Sequence, residues 1–320
     1  MNLKFSLIIP VYNRPQEIEE LLYSLTKQDY KDDFEVLIIE DGSEKTCVEV
    51  LKRYEGALII RYFYKDNSGA GLSRNVGMEK ALGNYFIILD SDVLLPNHYL
   101  SDVAKALNSN FTNAFGGADK AHVSFTTWQK AINFSMTSLF TTGGIRGKKK
   151  GVGKFQPRSF NMGISKKAFE ATKGFSELKY GEDIDLTFRL WEAGFETQFI
   201  EDAYVYHKRR TNIKAFYKQT FNFGTARPYL NRKYPDSAKL TYWFPSLFII
   251  GFDIAILLAL FLHWIFILPF VFYFLVVFVD SFFKSESLRV AFCSIVTTYT
   301  QFLGYGLGFL KSTFFVKKID

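Results

Sequence analysis

The sequence predicts an α/β domain, in which a parallel sheet is covered by helices on both faces, followed by a C-terminal region of membrane helices. In the first half, short apolar segments alternate with helical segments, which is typical of a parallel sheet. Acidic residues directly follow two of the apolar segments, at the strand ends where such sheets bind ligands. Beyond Trp243 a long apolar run predicts membrane helices. We expect residues 1–212 to form the α/β domain, 213–240 an amphipathic segment, and 241–320 the membrane region.

The first strands and helices of the α/β domain follow from runs of apolar residues. The expected strands are Phe5–Val11, Phe34–Glu40, Leu58–Tyr64 and Tyr85–Leu89. Helices are expected over about 15–28, where leucines share one face, and over 71–81. Apolar residues dominate these strands, which indicates burial on both faces.

The apolar run from Trp243 to Val279 contains one carboxylate, Asp253, and one histidine, His263. A single membrane span needs roughly 20 residues, so this run suits two helices with a turn near His263. A weaker apolar stretch, 290–310, is diluted by hydroxyl and amide side chains. It fits either a third span or a helix at the interface, and the basic residues on both of its flanks favour an interfacial or re-entrant element.

Two further segments are rich in basic residues. Residues 213–234 mix them with aromatic residues, which suits a helix on an anionic membrane surface or an amphipathic helix packed on the α/β domain. Residues 143–154 combine glycines with lysines and an arginine, which predicts a flexible loop that is either solvated or a lid over a ligand.

Composition narrows the range of functions. The net charge is +7, which fits nucleic acid, anionic lipid or phosphate-rich ligands. The aromatic residues crowd the second half, which favours membrane over nucleic acid. The two cysteines, Cys47 and Cys293, argue against a disulfide framework and exclude a cysteine-based metal site. The N-terminus shows no signal-peptide pattern, so the first half is expected to remain in the cytosol.

Asp90-Ser91-Asp92 carries the sharpest chemical signal. Two carboxylates flank a small residue immediately after a predicted buried strand. Oxygen ligands of this kind suit Mg²⁺ or Mn²⁺, which bridges to phosphates. The alternative is an ordinary solvated turn, because Asp and Ser are common turn residues.

Four more sites are candidates for function. Asp41 ends the second strand and could accept hydrogen bonds from a base or ribose, or merely form the turn. Glycines precede a helix that carries Arg74, an arrangement that lets an anionic ligand approach. Glu182 and Asp183 open another helix, where one acid could act as a general base although acids also cap helices. His207 could be a third metal ligand or a structural histidine.

These segments together resemble a family 2 glycosyltransferase with the GT-A fold, over about residues 4–210. The resemblance rests on several motifs in the family's order: FSLIIPVYNR, VLIIEDGS, NSGAGLSRNVGMEKALGNY, FIILDSD, RSFNMGISKKAFEATKGFSE, GEDIDLTFRLWEAG and VYHKRR. Several motifs in register are more specific than any one of them.

The resemblance implies a role for each candidate residue. The nucleotide-sugar would be bound by Pro10, Tyr12, Asp41, Arg74, Asp90, Asn161 and Gly163. A divalent metal, Mn²⁺ or Mg²⁺, would be held by Asp90, Asp92 and His207. Asp183 would be the catalytic base, with Glu182 beside it, in an inverting displacement by an acceptor hydroxyl.

The resemblance also implies the setting of the reaction. The donor would be a nucleotide-diphosphate sugar, and the acceptor a lipid-linked molecule or glycan of cell-surface polysaccharide or glycoconjugate synthesis. The protein would contact membrane lipid but no nucleic acid, in the inner membrane with its catalytic domain facing the cytoplasm. The Gln-x-x-Arg-Trp signature of processive synthases is absent, because no Trp follows Arg227. Two alternatives remain: a transferase that loads a polyprenyl phosphate, and a non-catalytic membrane scaffold with the same fold.

Overall fold

The computed structural model describes residues 2–143 and 155–315, and these form two compact units. The first unit comprises residues 2–122 and 155–208, and the second comprises 123–143 and 209–315. The predicted segment 1–212 is therefore divided, because its residues 123–143 belong with the C-terminal helices. All but the first residue of the predicted basic loop, 143–154, lies outside the described residues.

The first unit is built on an eight-stranded sheet. Its strands are β1 (Phe5–Val11), β2 (Glu35–Asp41), β3 (Ile59–Lys65), β4 (Tyr85–Leu89), β5 (Val93–Leu94), β6 (Ala114–Lys120), β7 (Asn161–Ser165) and β8 (Thr197–His207). Their order in the sheet is β3-β2-β1-β4-β7-β6-β8-β5. The four predicted strands are confirmed to within one residue and pair in parallel. The sheet as a whole is mixed, because β7 runs antiparallel to both β4 and β6.

Helices cover both faces of this sheet. They are α1 (Pro15–Leu25), α2 (Val48–Leu51), α3 (Ala70–Lys80), α4 (Tyr99–Ser109), and, after the second unit's first two helices, α7 (Lys166–Thr172) and α8 (Glu182–Glu192). Alternate residues of β1 enter opposite cores: Leu7 and Ile9 pack with α1, whereas Ile8 packs with Met78 of α3. Strands β1, β2 and β4 are buried along their whole length, whereas β3 is only partly buried. Each fully buried aliphatic side chain contributes about 1.5–3 kcal/mol relative to exposure, so these three strands require both layers.

The second unit is entirely helical. Its helices are α5 (Thr127–Thr137), α6 (Leu139–Thr142), α9 (Ile213–Lys233), α10 (Phe244–Phe261), α11 (Leu268–Ser285) and α12 (Leu288–Phe314). The predicted amphipathic segment is α9, and it packs closely along α12. A Cβ atom on Gly224 of α9 would lie 2.2 Å from the Tyr305 carbonyl oxygen, and one on Gly308 of α12 would lie 2.2 Å from the Phe221 carbonyl oxygen. Small residues at these positions let the two backbones approach each other.

Two helices of the second unit are long and apolar enough to cross a membrane. The candidate spans are Leu240–Phe261 and Trp264–Ser285, which include α10 and α11, and they meet at His263 as the sequence predicts. Many of their large apolar side chains are exposed. Asp253, in the middle of α10, is exposed as well.

The weaker apolar stretch forms α12, whose hydroxyl side chains point into the second unit. Ser294 lies 2.7 Å from the hydroxyl of Ser281 on α11, and Thr297 lies 2.5 Å from that of Ser135 on α5. The side chains that weakened this stretch as a membrane signal are thus buried and paired. In the described part of the chain, α12 is not among the candidate spans.

Candidate active site

The three predicted metal ligands meet beyond the carboxyl end of β4. Ligand atoms of Asp90, Asp92 and His207 all lie within 4.8 Å of one another. The sheet brings His207 there, because β8 runs antiparallel to β5 with His207 opposite Val93. The Lys208 amide then donates to the Asp92 carbonyl oxygen at 2.9 Å, which fixes the end of β8 beside the Asp90–Asp92 turn.

The Asp92 carboxylate is 14% exposed and lies between the side chains of Arg14 and His207. Its Oδ2 accepts a hydrogen bond from Arg14 Nη1 at 2.5 Å, and its Oδ1 lies 3.2 Å from His207 Nε2. Burial alone would raise the pKa of Asp92, but His207 and then Arg14 outweigh it and hold that pKa well below its usual range. The carboxylate is therefore an anion at neutral pH.

The residues present suit a divalent cation. Asp92 Oδ1 is buried and, among the described residues, accepts no well-aligned hydrogen bond although His207 Nε2 lies 3.2 Å away, so it is an acceptor that a cation would satisfy. Carboxylate oxygens with one imidazole nitrogen form a donor set that Mn²⁺ accepts well, and the carboxylates alone suit Mg²⁺.

Arg74 links this cluster to the acidic start of α8. Its side chain is almost fully buried, and Nη2 donates to Asp90 Oδ1 at 2.7 Å while Nη1 donates to Glu182 Oε1 at 3.0 Å. Its guanidinium also lies 5.2 Å from the centre of the Phe175 ring. The predicted metal site and the predicted catalytic acids thus share one arginine.

The acids at the start of α8 have different environments. Burial, and next the charge of Asp183, raise the pKa of Glu182 to about 7, while Arg74 opposes the shift. Asp183 Oδ1 accepts a hydrogen bond from the Ile184 amide at 2.8 Å and lies 3.7 Å from Arg158 Nη1. Within the described residues, Asp183 Oδ2 makes no hydrogen bond, so it remains available as an acceptor.

Comparison with known proteins identifies the family. Residues 6–172, just over half of the chain, match the profile described as glycosyl transferase family 2. The chain belongs to glycosyl transferase family 2.

Curated relatives of this family 2 member match between about a third and about two thirds of its length. Poly(ribitol-phosphate) beta-N-acetylglucosaminyltransferase TarS of Staphylococcus aureus is 32% identical over 114 residues, which is 35% of this chain and 20% of TarS. The GalNAc(5)-diNAcBac-PP-undecaprenol beta-1,3-glucosyltransferase of Campylobacter jejuni is 25% identical over 229 residues, 70% of this chain and 69% of that protein. The chain spans about a fifth of the length of the first curated relatives it matches.

Solved structures show the same fold. Mannosyltransferase PcManGT from Pyrobaculum calidifontis, in complex with GDP-Man and Mn²⁺, superposes with a TM-score of 0.62 at 14% identity, covering 98% of this chain and 88% of that one. A fragment of TarS in complex with UDP-GlcNAc gives 0.51 at 19% identity, covering 97% and 91%. Identities this low speak for the fold alone, which is the predicted GT-A fold with a helical C-terminal part.

The predicted nucleotide pocket of the family 2 domain lies at the end of β2. Asp41 accepts hydrogen bonds from Lys65 Nζ at 2.5 Å and from the amides of Ser68 and Gly69 at 2.9 Å each. Burial would raise the pKa of Asp41, but the Lys65 and Ser68 hydrogen bonds lower it. Asp41 thus shapes the loop before α3. Two further residues are predicted to line this pocket. Pro10, on β1, is buried, and Tyr12, directly after β1, is 53% exposed.

Two predicted site residues lie inside the sheet. Asn161 is fully buried, accepts from the Tyr99 hydroxyl at 2.6 Å and donates to the Ala203 carbonyl oxygen at 2.8 Å. A Cβ on Gly163 would fall 2.0 Å from the Phe115 ring, so this position makes room for that ring. The Asn161 amide nitrogen also donates to the Ala118 carbonyl oxygen at 3.2 Å, so this side chain links three parts of the first unit.

Sequence reasoning missed three polar residues at the site. Arg14 pairs with Asp92, Lys65 pairs with Asp41, and Asp119 lies behind His207. Arg14 ends one of the segments that resemble the family, and Lys65 lies just before another. No local sequence pattern distinguishes them from other charged residues. Asp119 follows two glycines in β6, where no apolar run marks a strand.

Proposed function

We propose that this chain transfers a sugar from a nucleotide-diphosphate sugar to a hydroxyl of a membrane-associated glycan or lipid, with inversion at the anomeric carbon. The main support for the proposal is one observation: Arg74 forms ion pairs both with Asp90 of the Asp90–Asp92–His207 cluster and with Glu182 at the start of α8. A metal-binding cluster beside a separate carboxylate supplies the two functions that an inverting transfer needs.

On the donor side, Asp90, Asp92 and His207 would hold Mn²⁺ or Mg²⁺. When bound, such a cation neutralises charge on the diphosphate leaving group. The exposed ring of Tyr12 and the loop held by Asp41 would bind the nucleoside portion. We assign no donor contact to Asn161 or Gly163, because their surroundings are filled by the sheet.

On the acceptor side, Asp183 would be the base. Its free Oδ2 would take the proton of the acceptor hydroxyl as that oxygen attacks the anomeric carbon and the bond to the diphosphate breaks. Glu182 serves differently, because Arg74 holds its carboxyl and burial raises its pKa to about 7. Asp183, which has no such fixed partner on Oδ2, is the better acceptor for the proton.

The acceptor class is inferred from the second unit and from the relatives. Two apolar helices of spanning length suit an enzyme whose acceptor is held at a membrane. Two of the relatives are named for acceptors of this kind, an undecaprenol-linked glycan and a poly(ribitol-phosphate). The proposal therefore includes attachment to the inner membrane, with the catalytic unit on the cytoplasmic side where sugar nucleotides are available.

The test uses the purified full chain in detergent with Mn²⁺ and a panel of UDP-, GDP- and dTDP-sugars. A donor at 100 times its Kd adds about 2.7 kcal/mol to stability, so the true donor should raise Tm measurably. Transfer to a lipid-linked oligosaccharide fraction should then give a product of opposite anomeric configuration by NMR. Asp92→Asn should lose the Mn²⁺-dependent part of the Tm increase. Retention of configuration, or donor binding with no transfer or hydrolysis, would contradict the proposal.

A further inference from the structure

Asp119 is a buried carboxylate that the proposed mechanism does not use. It lies near the end of β6, and its side chain has no exposed surface. Burying an ionised carboxylate is costly unless it is paired or serves a cation site. Its position next to the Asp90–Asp92–His207 cluster therefore calls for a function.

The register of the sheet turns Asp119 toward His207. β6 and β8 run parallel, with Gly117 opposite Ile200, but the register then shifts so that Asp119 lies opposite Val205. Paired residues of neighbouring strands point to the same face, and so do residues two apart on one strand. Asp119, Val205 and His207 thus share a face. Irregularities of this kind often redirect side chains beside active sites.

The His207 ring is held on three sides. Its Nε2 lies 3.2 Å from Asp92 Oδ1, and its Nδ1 lies 4.0 Å from Asp119 Oδ2. The Phe160 ring stacks on it with centroids 4.8 Å apart and planes inclined by 25°. Nε2 therefore faces Asp92, a fellow member of the metal-binding cluster, while Nδ1 faces the buried carboxylate of Asp119.

We propose that Asp119 is a positioning residue for the cation site: it attracts the Nδ1–H edge of His207 and keeps Nε2 directed at the cation. Histidine ligands commonly donate their second N–H to an outer carboxylate, and loss of such a partner lowers metal affinity by about 10- to 100-fold. The inference rests on the proposed function, since it presumes that the cluster binds a metal.

The chain offers a matched control for this pair. His98 Nε2 lies 3.7 Å from Asp102 Oδ2 on α4, with both side chains partly exposed. Asp102→Asn breaks a histidine–carboxylate pair of the same kind, but His98 is not in the metal-binding cluster.

The experiment measures Mn²⁺ alone binding to the purified full chain, by EPR titration, for the wild type, D119A, D119N and D102N. Pulsed EPR of the bound ion reports ¹⁴N coupling from a coordinated imidazole. We expect D119A to raise the Kd for Mn²⁺ about 10- to 100-fold and to remove the ¹⁴N coupling. D119N should lose less, because its amide oxygen still accepts from Nδ1–H, and D102N should match the wild type.

Several results would overturn this role. Wild-type affinity and ¹⁴N coupling in D119A would show that His207 needs no such partner. Full ¹⁴N coupling despite weaker binding would place the effect elsewhere, and unfolding of both D119A and D119N by circular dichroism would make Asp119 structural. Failure of the wild type itself to bind Mn²⁺ would instead refute the metal site and, with it, this inference.

Discussion

At the scale of residues, the neighbouring acids at the start of α8 differ in burial and in ion pairing, and we therefore expect them to differ in function. Asp183 and Asp185 are two positions apart on α8, yet Asp185 is fully buried and pairs with Arg189 at 2.9 Å, whereas Asp183 keeps Oδ2 free of hydrogen bonds within the described residues. The three acids that open α8 are thus one candidate base, one carboxyl held by an arginine, and one structural ion pair.

This difference separates the effects of two substitutions. Asp183→Asn should abolish sugar transfer while leaving donor affinity and Tm nearly unchanged, because the base acts only on the acceptor. Asp185→Asn should lower stability by about 3 kcal/mol, because it leaves the Arg189 charge without its buried partner. Donor titration and thermal unfolding of both variants check this. If donor affinity fell as far as turnover in the Asp183 variant, that residue would belong to the donor site.

Glu182 should give the first unit a characteristic pH dependence. Its pKa rises from 4.5 to about 7 on folding, so the native state binds more protons than the unfolded state between these values. The contribution of Glu182 to the free energy of unfolding is therefore greatest below about pH 4.5, falls as pH rises to 7, and stays low above that pH. The full decrease is roughly 3 kcal/mol. Unfolding of the wild type and Glu182→Gln from pH 5 to 8 measures it. The difference should favour the variant increasingly with pH, and parallel curves would contradict the shift.

At the scale of elements, sequence predicts those parts of the fold that bury apolar runs on both faces. β1 and β4 are such runs, and burial leaves them no other stable place. β6 and β7 are not predictable in this way, because AFGGADK and NMGIS lack an apolar run and depend on neighbours distant in the chain. The same holds for the site. Asp90 and Asp92 follow β4 directly, whereas the position of Asp119 depends on a register shift that no local pattern encodes.

Helices α9 and α12 are in close contact at Gly224 and Gly308, here called the glycine seam, and this contact leads to a prediction at the scale of elements. Gly224→Ala should destabilise the second unit by about 1–3 kcal/mol, because its Cβ would lie 2.2 Å from the Tyr305 carbonyl oxygen. Gly251→Ala on α10 is the matched control, since its Cβ would meet only the Phe270 ring at 3.5 Å. Helix propensity favours both alanines by up to about 1 kcal/mol, so the control should be neutral or stabilised. Unfolding in detergent distinguishes them, and equal effects would show that the seam tolerates a methyl group.

At the scale of the whole molecule, the apolar helices α10 and α11 predict an association with a membrane. α10 and α11 expose large side chains such as Leu260, Phe272 and Phe283. Contiguous apolar surface of this kind marks a membrane or protein contact. A helix satisfies its own backbone hydrogen bonds, as lipid requires. Each is 18 residues long, or about 27 Å at 1.5 Å per residue, close to the roughly 30 Å of a bilayer core.

These lengths predict that α10 and α11 each cross the membrane fully, in opposite directions, so that the His263 turn lies on the far side. Lys239 precedes the hairpin, Lys284 lies in the last turn of α11, and Arg289 follows the hairpin. Such basic flanks favour the cytoplasmic side. A cysteine at position 263, in a chain with Cys47 and Cys293 replaced by serine, should react with a membrane-impermeant maleimide only from outside the inner membrane. A cysteine at position 239 should react only from the cytoplasm. Labelling of position 263 from the cytoplasm alone would instead indicate a re-entrant hairpin.

Asp253 provides an independent check on this crossing. It lies midway along α10 and is exposed, so a full crossing places its carboxylate near the bilayer centre. Insertion measurements set the cost of an aspartate there at about 2.5–3.5 kcal/mol, whereas the cost near the headgroups is small. Asp253→Leu should therefore strengthen retention of the α10–α11 hairpin in the membrane, measured as the fraction of an isolated hairpin fusion that inserts. Val271→Leu, an exposed apolar exchange on α11, is the control. If both substitutions left insertion unchanged, Asp253 would lie at the headgroups and α10 would not cross.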